Sequence, residues 1–125
     1  KVVETLLIEE AREKCPRWLD EFKEFYPYAE IVLLFGSAAK NAKIANDVDL
    51  LVIAKKEKSA IINKILKERK AISIRPIHLI KKTAEELSKS LKRKDEIILN
   101  ILSSCCVLHG QDKFLEAVKN VTCVQ

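Results

Sequence analysis

The chain reads as an α/β domain, with short apolar strands set between amphipathic helices. Two runs, 30–35 (EIVLLF) and 48–54 (VDLLVIA), are short, rich in branched apolar residues and suited to buried strands. Around them, apolar residues recur at helical spacing, as at Val3, Leu6, Leu7 and Ala11 and again at Ile61, Ile62, Ile65 and Leu66. The two patterns alternate along the chain, which is the mark of a sheet covered by helices.

Residues 2–25 carry a helical period that continues through Trp18, Leu19, Phe22 and Phe25. Pro16 interrupts it, and is expected to kink the helix or to start a second one at its first turn. Tyr26-Pro27-Tyr28 breaks the period and leads into the first strand. A loop with a short helical turn is expected over 36–46, then the strand 48–54. That strand is apolar on both faces beyond its acidic start, so it should be central and covered. A helix follows near 58–70, then a strand over 71–80 (AISIRPIHLI), where Pro76 argues for an edge or a bulge. Thr83-Ala-Glu-Glu86 fits a capping box and opens a helix over 84–93. The apolar segment 95–104 is helical, CCVLHG at 105–110 is a candidate short strand ending at Gly110, and Phe114, Leu115 and Val118 mark a last helix. The main order is α-β-α-β-α-β-α-α-α, without repeats or long linkers.

With 125 residues, 48% of them apolar and 33% charged, the chain suits one soluble domain over residues 1–125. No apolar run approaches the roughly 18 residues of a membrane helix. No leader pattern is visible, so a cytoplasmic location is expected. Cys15, Cys105, Cys106 and Cys123 show neither metal-type spacing nor a disulfide framework, and Cys105 and Cys106 read as small core residues. The net charge of +5 is unevenly placed: residues 1–50 carry 7 basic and 10 acidic side chains, residues 51–125 carry 16 and 8. The excess between Lys55 and Lys94 suits an anionic partner, although a solvated charged face is the ordinary explanation.

The chemistry concentrates at 35–53. Gly36 leaves the first strand, and without a Cβ it lets a ligand approach the backbone closely. Ser37 stands at the start of the next turn, where free N–H groups favour phosphate oxygens, and Lys40 and Lys43 can neutralise further phosphate charge. Alone, a Gly-Ser turn is more often structural. Asp47 and Asp49 alter that reading. Side chains alternate along a strand, so these two carboxylates share a face, and unpaired carboxylates seek a cation. Magnesium commonly takes one or two carboxylates together with substrate phosphates. The plain alternative has Asp47 capping a turn and Asp49 pairing with a lysine.

GSAAKNAKIANDVDLLVI resembles the signature of the DNA polymerase beta-type nucleotidyltransferases. In particular it is similar to that of the minimal nucleotidyltransferases, small prokaryotic and archaeal proteins with G-S-x-A-x-G followed by S-D-x-D. Gly36, Ser37, Ala39, Asp47, Asp49 and Leu50 match by position; Lys40 stands where Arg is frequent, Asn41 replaces the second glycine, and Asn46 replaces the serine. The resemblance implies a nucleotidyltransferase fold with a small mixed β-sheet flanked by helices. It further implies Mg²⁺, with two ions possible, and an NTP donor, usually ATP. A nucleoside monophosphate then passes to an acceptor hydroxyl. Members often work beside a HEPN-type partner protein as a toxin–antitoxin pair, in which a tyrosine of the partner can be the acceptor.

One departure bears on activity. The family places a third carboxylate on the neighbouring strand, commonly as general base, but residues 71–84 contain no Asp or Glu. His78 falls near that position and supplies a neutral imidazole rather than a negative charge; as a plain strand residue it needs no role. Arg75 is an alternative phosphate contact, and His109 reads as structural. Two other classes compete with the enzyme. One is a degenerate nucleotide-binding antitoxin that acts by binding its partner. The other is a basic nucleic-acid module, which lacks a stacking platform because no Phe, Trp or Tyr lies between Phe35 and Phe114.

Overall fold

A computed structural model describes residues 2–40 and 46–123, with side chains as far as residue 119. Helix α1 (Val2–Lys14) ends at Cys15, and α2 (Pro16–Glu21) starts on Pro16 itself. Proline is tolerated there because its missing N–H would have had no helical partner. A 3-10 turn, Lys23–Tyr28, carries the chain into β1 (Ile31–Phe35). The single-turn α3 (Ser37–Lys40) follows, then β2 (Val48–Ile53), a 3-10 turn at Lys56–Lys58 and α4 (Ser59–Ile72). Strand β3 (Ile77–Lys82), α5 (Ala84–Lys92), α6 (Glu96–Ser103), β4 (Cys106–His109) and α7 (Gln111–Cys123) complete the order.

The strands form one mixed sheet in the order β3-β2-β1-β4. β1 runs antiparallel to both β2 and β4, and β2 runs parallel to β3, with α4 as the crossover. CCVLHG is therefore a true strand, and it pairs beside β1. The expected strand over 71–80 is corrected. Its first residues extend α4 to Ile72, and pairing starts only at Ile77. Pro76 disfavours helix for the residue before it and cannot donate to a ladder. The turn between is closed by Ser73 Oγ donating to the Arg75 carbonyl at 2.7 Å.

Alternation along the strands builds two cores. Val32, Leu34, Val48, Leu50, Val52 and Ile77 face one layer, with Trp18, Phe22, Phe25, Ile62 and Ile65. Ile31, Leu33, Leu51, Ile53 and Val107 face the other, with Leu87, Leu91, Ile98 and Ile101. β2 is thus covered on both sides, as its unbroken apolar run requires. Trp18 stacks on Phe22 at 5.9 Å between ring centroids, so the early aromatic residues serve the core. Arg69 pairs with Glu24, tying α4 to the 3-10 turn that precedes β1. His109 stacks on Tyr26 at 4.9 Å and lies 3.2 Å from the Ala29 carbonyl through Nε2, a structural role. Gly110 follows at φ +78, where a Cβ would run into the Glu30 carbonyl. Among the described residues no helix is long and apolar enough to cross a membrane.

The α5–α6 connection shows how closely local chemistry fits the fold. Thr83 Oγ1 accepts from Glu86 N–H at 3.1 Å, and Glu86 Oε1 accepts from Thr83 N–H at 2.9 Å, which is the expected capping box. At the other end, Lys94 N–H donates to the Leu91 carbonyl and Asp95 N–H to the Ser90 carbonyl, forming a Schellman motif. Asp95 then caps α6 by accepting from Ile97 and Ile98 N–H. The left-handed residue of this motif is Lys94, at φ 55, where glycine is usual. A side chain in that conformation costs about 1 kcal/mol. Lys94→Gly is therefore expected to raise unfolding stability by up to about 1 kcal/mol, read as a higher urea midpoint with an unchanged slope.

Candidate functional site

The motif residues meet at one end of the sheet. β1 ends at Phe35, which pairs with Asp49 across the antiparallel ladder, while Asp49 pairs on its other side with His78 of β3. Asp47, just before β2, lies two residues away on the same face. It is 3.4 Å from His78 Nε2 through Oδ2, with both side chains about half exposed. Val48, between the acids, donates its N–H to the Pro76 carbonyl at 2.9 Å, so the acidic end of β2 is anchored to the approach to β3. The sequence frame thus brings Asp47, Asp49 and His78 together from two strands.

Gly36 completes the arrangement in a way that spacing alone did not reveal. It turns at φ +73, and a Cβ built on it would collide with Asp49 Oδ2. The absent side chain therefore seats a carboxylate of this same chain, in addition to opening the backbone to a ligand. The signal is the β1–β2 register, which one sequence does not print. Ser37 follows at the exposed start of α3, and Lys40 is exposed in its last position. Because α3 is one turn long, its macrodipole is slight, and backbone N–H groups with the Ser37 hydroxyl are what it offers to an anion. Lys43 lies outside the described residues.

Electrostatics single out Asp49. Burial pushes its carboxyl above the usual carboxylate range; His78 works against that shift and Asp47 adds to it. A negative group desolvated beside a second one is stabilised by a cation. Among the described residues, no three His, Cys, Asp or Glu side chains are already gathered as a metal cage. The donor set still fits magnesium delivered with a nucleotide. Asp47 and Asp49 carry hard oxygens, the donor type that magnesium takes together with substrate phosphates. His78 is a nitrogen donor and does not reproduce a third carboxylate. Arg75 turns away from this face. Its guanidinium lies 5.8 Å from the Trp18 ring centroid, among residues of the opposite layer.

Two outcomes follow from this packing. Gly36→Ala is expected to lose about 1–2 kcal/mol, mostly from the left-handed backbone, and to displace the Asp49 carboxylate. Its cost should be smaller when Asp49→Ala is already present, which a double-mutant cycle by urea unfolding measures. The raised Asp49 carboxyl means that the folded chain holds that proton more tightly than the unfolded one. Stability linked to it is therefore present below the unfolded pKa and is lost as pH rises through that value and the folded one. In chelator-treated buffer, Asp49→Asn should be more stable than wild type near pH 7, and the gain should shrink toward about pH 4.

Comparison with known proteins agrees with the geometry. The family model described as "Nucleotidyltransferase domain" matches residues 15–103, which run from the start of α2 through α6 and contain the whole motif. No curated protein matches the chain. The matched segment supplies β1, the glycine turn, both aspartates and β3, and by that match the chain belongs to the nucleotidyltransferase domain family.

Proposed function

We propose that the chain is a cytoplasmic, Mg²⁺-dependent nucleotidyltransferase that moves a nucleoside monophosphate from an NTP, ATP first among them, to a hydroxyl of a HEPN-type partner protein. The observation that carries this reading is Asp49 of β2 against the Gly36 turn, with Asp47, just before the strand, 3.4 Å from His78. In this reading residues 1–125 act as one domain.

Each residue has a part. Gly36 and Ser37 present backbone N–H groups and a hydroxyl to the phosphates, and Lys40 and Lys43 offset their charge. Asp47 and Asp49 would hold Mg²⁺, as one ion or as two sharing the same carboxylates. The bound metal supplies charge neutralisation on the triphosphate and lowers the pKa of the attacking hydroxyl. The acceptor oxygen forms a bond to the α-phosphorus as the bond to the bridging oxygen breaks. Pyrophosphate leaves with the electron pair, and the hydroxyl proton passes to solvent or a nearby base. His78, 3.4 Å from Asp47, orients that carboxylate in this reading.

A second reading keeps the nucleotide and drops the transfer: a degenerate antitoxin that acts by binding its partner. It is favoured by one observation, that the β3 residue in register with Asp49 is a histidine and not a carboxylate.

Calorimetry with Mg²⁺ and ATP tests the shared part. Asp47→Ala and Asp49→Ala together should weaken metal-dependent nucleotide binding by about a hundredfold or more; equal affinity in the variant would remove the site from consideration. Incubation of the co-purified complex with α-labelled ATP separates the two readings. Label on the partner supports transfer. An intact complex with no label, while nucleotide still binds, supports the inhibitor.

A further inference from the structure

The core-facing row of α4 does not stop where the core does. Ile62, Ile65, Arg69 and Ile72 recur at helical spacing, so they lie along one side of the helix. Ile62 and Ile65 are buried, and Arg69 pairs with Glu24. Ile72, last on the row, is 71% exposed, and Ile74, just beyond the helix, is 98% exposed. Ala71 and Pro76 are exposed as well. Apolar residues therefore surface together over 71–76, unlike the single exposed side chains that any protein shows.

The turn that carries Ile74 is fastened on both sides. Ser73 N–H donates to the Arg69 carbonyl at 2.9 Å, and Ser73 Oγ donates to the Arg75 carbonyl at 2.7 Å. The Arg75 guanidinium lies 5.8 Å from the Trp18 ring centroid, and the Pro76 carbonyl accepts from Val48 N–H at 2.9 Å. Val48 stands between Asp47 and Asp49, so this turn adjoins the acidic end of the sheet. An apolar side chain presented on an ordered turn loses little freedom when it is bound.

We propose that Ile72 and Ile74 anchor the acceptor protein, a partner whose surface sets an apolar pocket among carboxylates, and that this contact brings its hydroxyl to Asp47 and Asp49. The inference rests on the transfer reading above. Lys64, Lys67 and Lys70 are exposed on the helix that leads to the two isoleucines, and Glu68 is the single acid over 63–72. The surface that complements such a rim is negative. Aliphatic anchors fill pockets in proteins, whereas nucleic-acid bases stack on aromatic rings. No Phe, Trp or Tyr lies between Phe35 and Phe114.

The co-purified complex supplies the acceptor for the test. With α-labelled ATP and Mg²⁺ saturating, Ile72→Asp and Ile74→Asp should each raise KM for the partner about tenfold or more while kcat stays near wild type. Lys67→Glu with Lys70→Glu should act in the same direction and flatten the salt dependence of KM. Mg²⁺-ATP affinity by calorimetry and the urea midpoint should stay at wild-type values in the Ile74→Asp chain, which alters a side chain outside the core. If the wild-type chain labels no partner, the transfer reading fails and this surface falls with it. If the wild-type chain labels its partner and the variants do so with unchanged KM, the docking surface alone is overturned. RNA binding that the lysine changes abolish and Ile74→Asp leaves intact would overturn it in favour of a nucleic-acid face. A homodimer in light scattering that Ile74→Asp dissociates would overturn it in favour of self-association.

Discussion

The antiparallel register of β1 with β2 is the constraint from which the candidate site follows. It sets Phe35 opposite Asp49, so the residue after Phe35 must run alongside an acidic side chain. Only a residue without a Cβ leaves that carboxylate in place, and the same residue has to turn through a left-handed conformation to begin α3. One position thereby answers a packing demand and a backbone demand together. The parallel pairing of β2 with β3 adds the second neighbour, setting His78 on the other flank of Asp49. Neither pairing is local in sequence, and each depends on the strand cores that hold it.

Those cores fix parity. With β2 buried on both sides, a one-residue slip against β1 would exchange the residues facing each layer. Asp49 shares its face with Leu51 and Ile53, which pack against Leu87, Leu91, Ile98 and Ile101. The acids are therefore held on that face by apolar residues further along the same strand. Asp47, just before the strand, is about half exposed, while Asp49, one residue into it, is partly buried. The desolvation felt by Asp49 is the cost of sitting at this boundary.

Much of this was legible in the residues. The capping box at Thr83, the restart at Pro16, the strands beginning near Ile31 and Val48, and the turn after Gly36 all rest on rules that act over a few positions. The Asp47 and Asp49 pair was legible too, because side-chain alternation is a local property. What was not legible depends on partners distant in sequence. The stretch 71–75 has strand-like composition, but α4 absorbs its start and Pro76 delays pairing until Ile77. CCVLHG at 105–110 was legible as a candidate strand, and β4 lies within it; that it pairs beside β1 was not. Arg75, a few residues from His78, was an open alternative for phosphate; the aromatic layer containing Trp18 draws it to the opposite side.

The outermost position of β3 has a bearing on how the protein behaves at high concentration. A strand with one open flank is a template for adding another chain, and apolar ones invite stacking into aggregates. Here the hazard is blunted at both ends. Pro76 withholds a donor just ahead of the strand, and Lys81 and Lys82 close it with charge, Lys81 being fastened to Ser59 and Asn63 of α4. Such a rim discourages sheet-to-sheet growth between copies, leaving the flank beside His78 available to whatever reaches the acidic end.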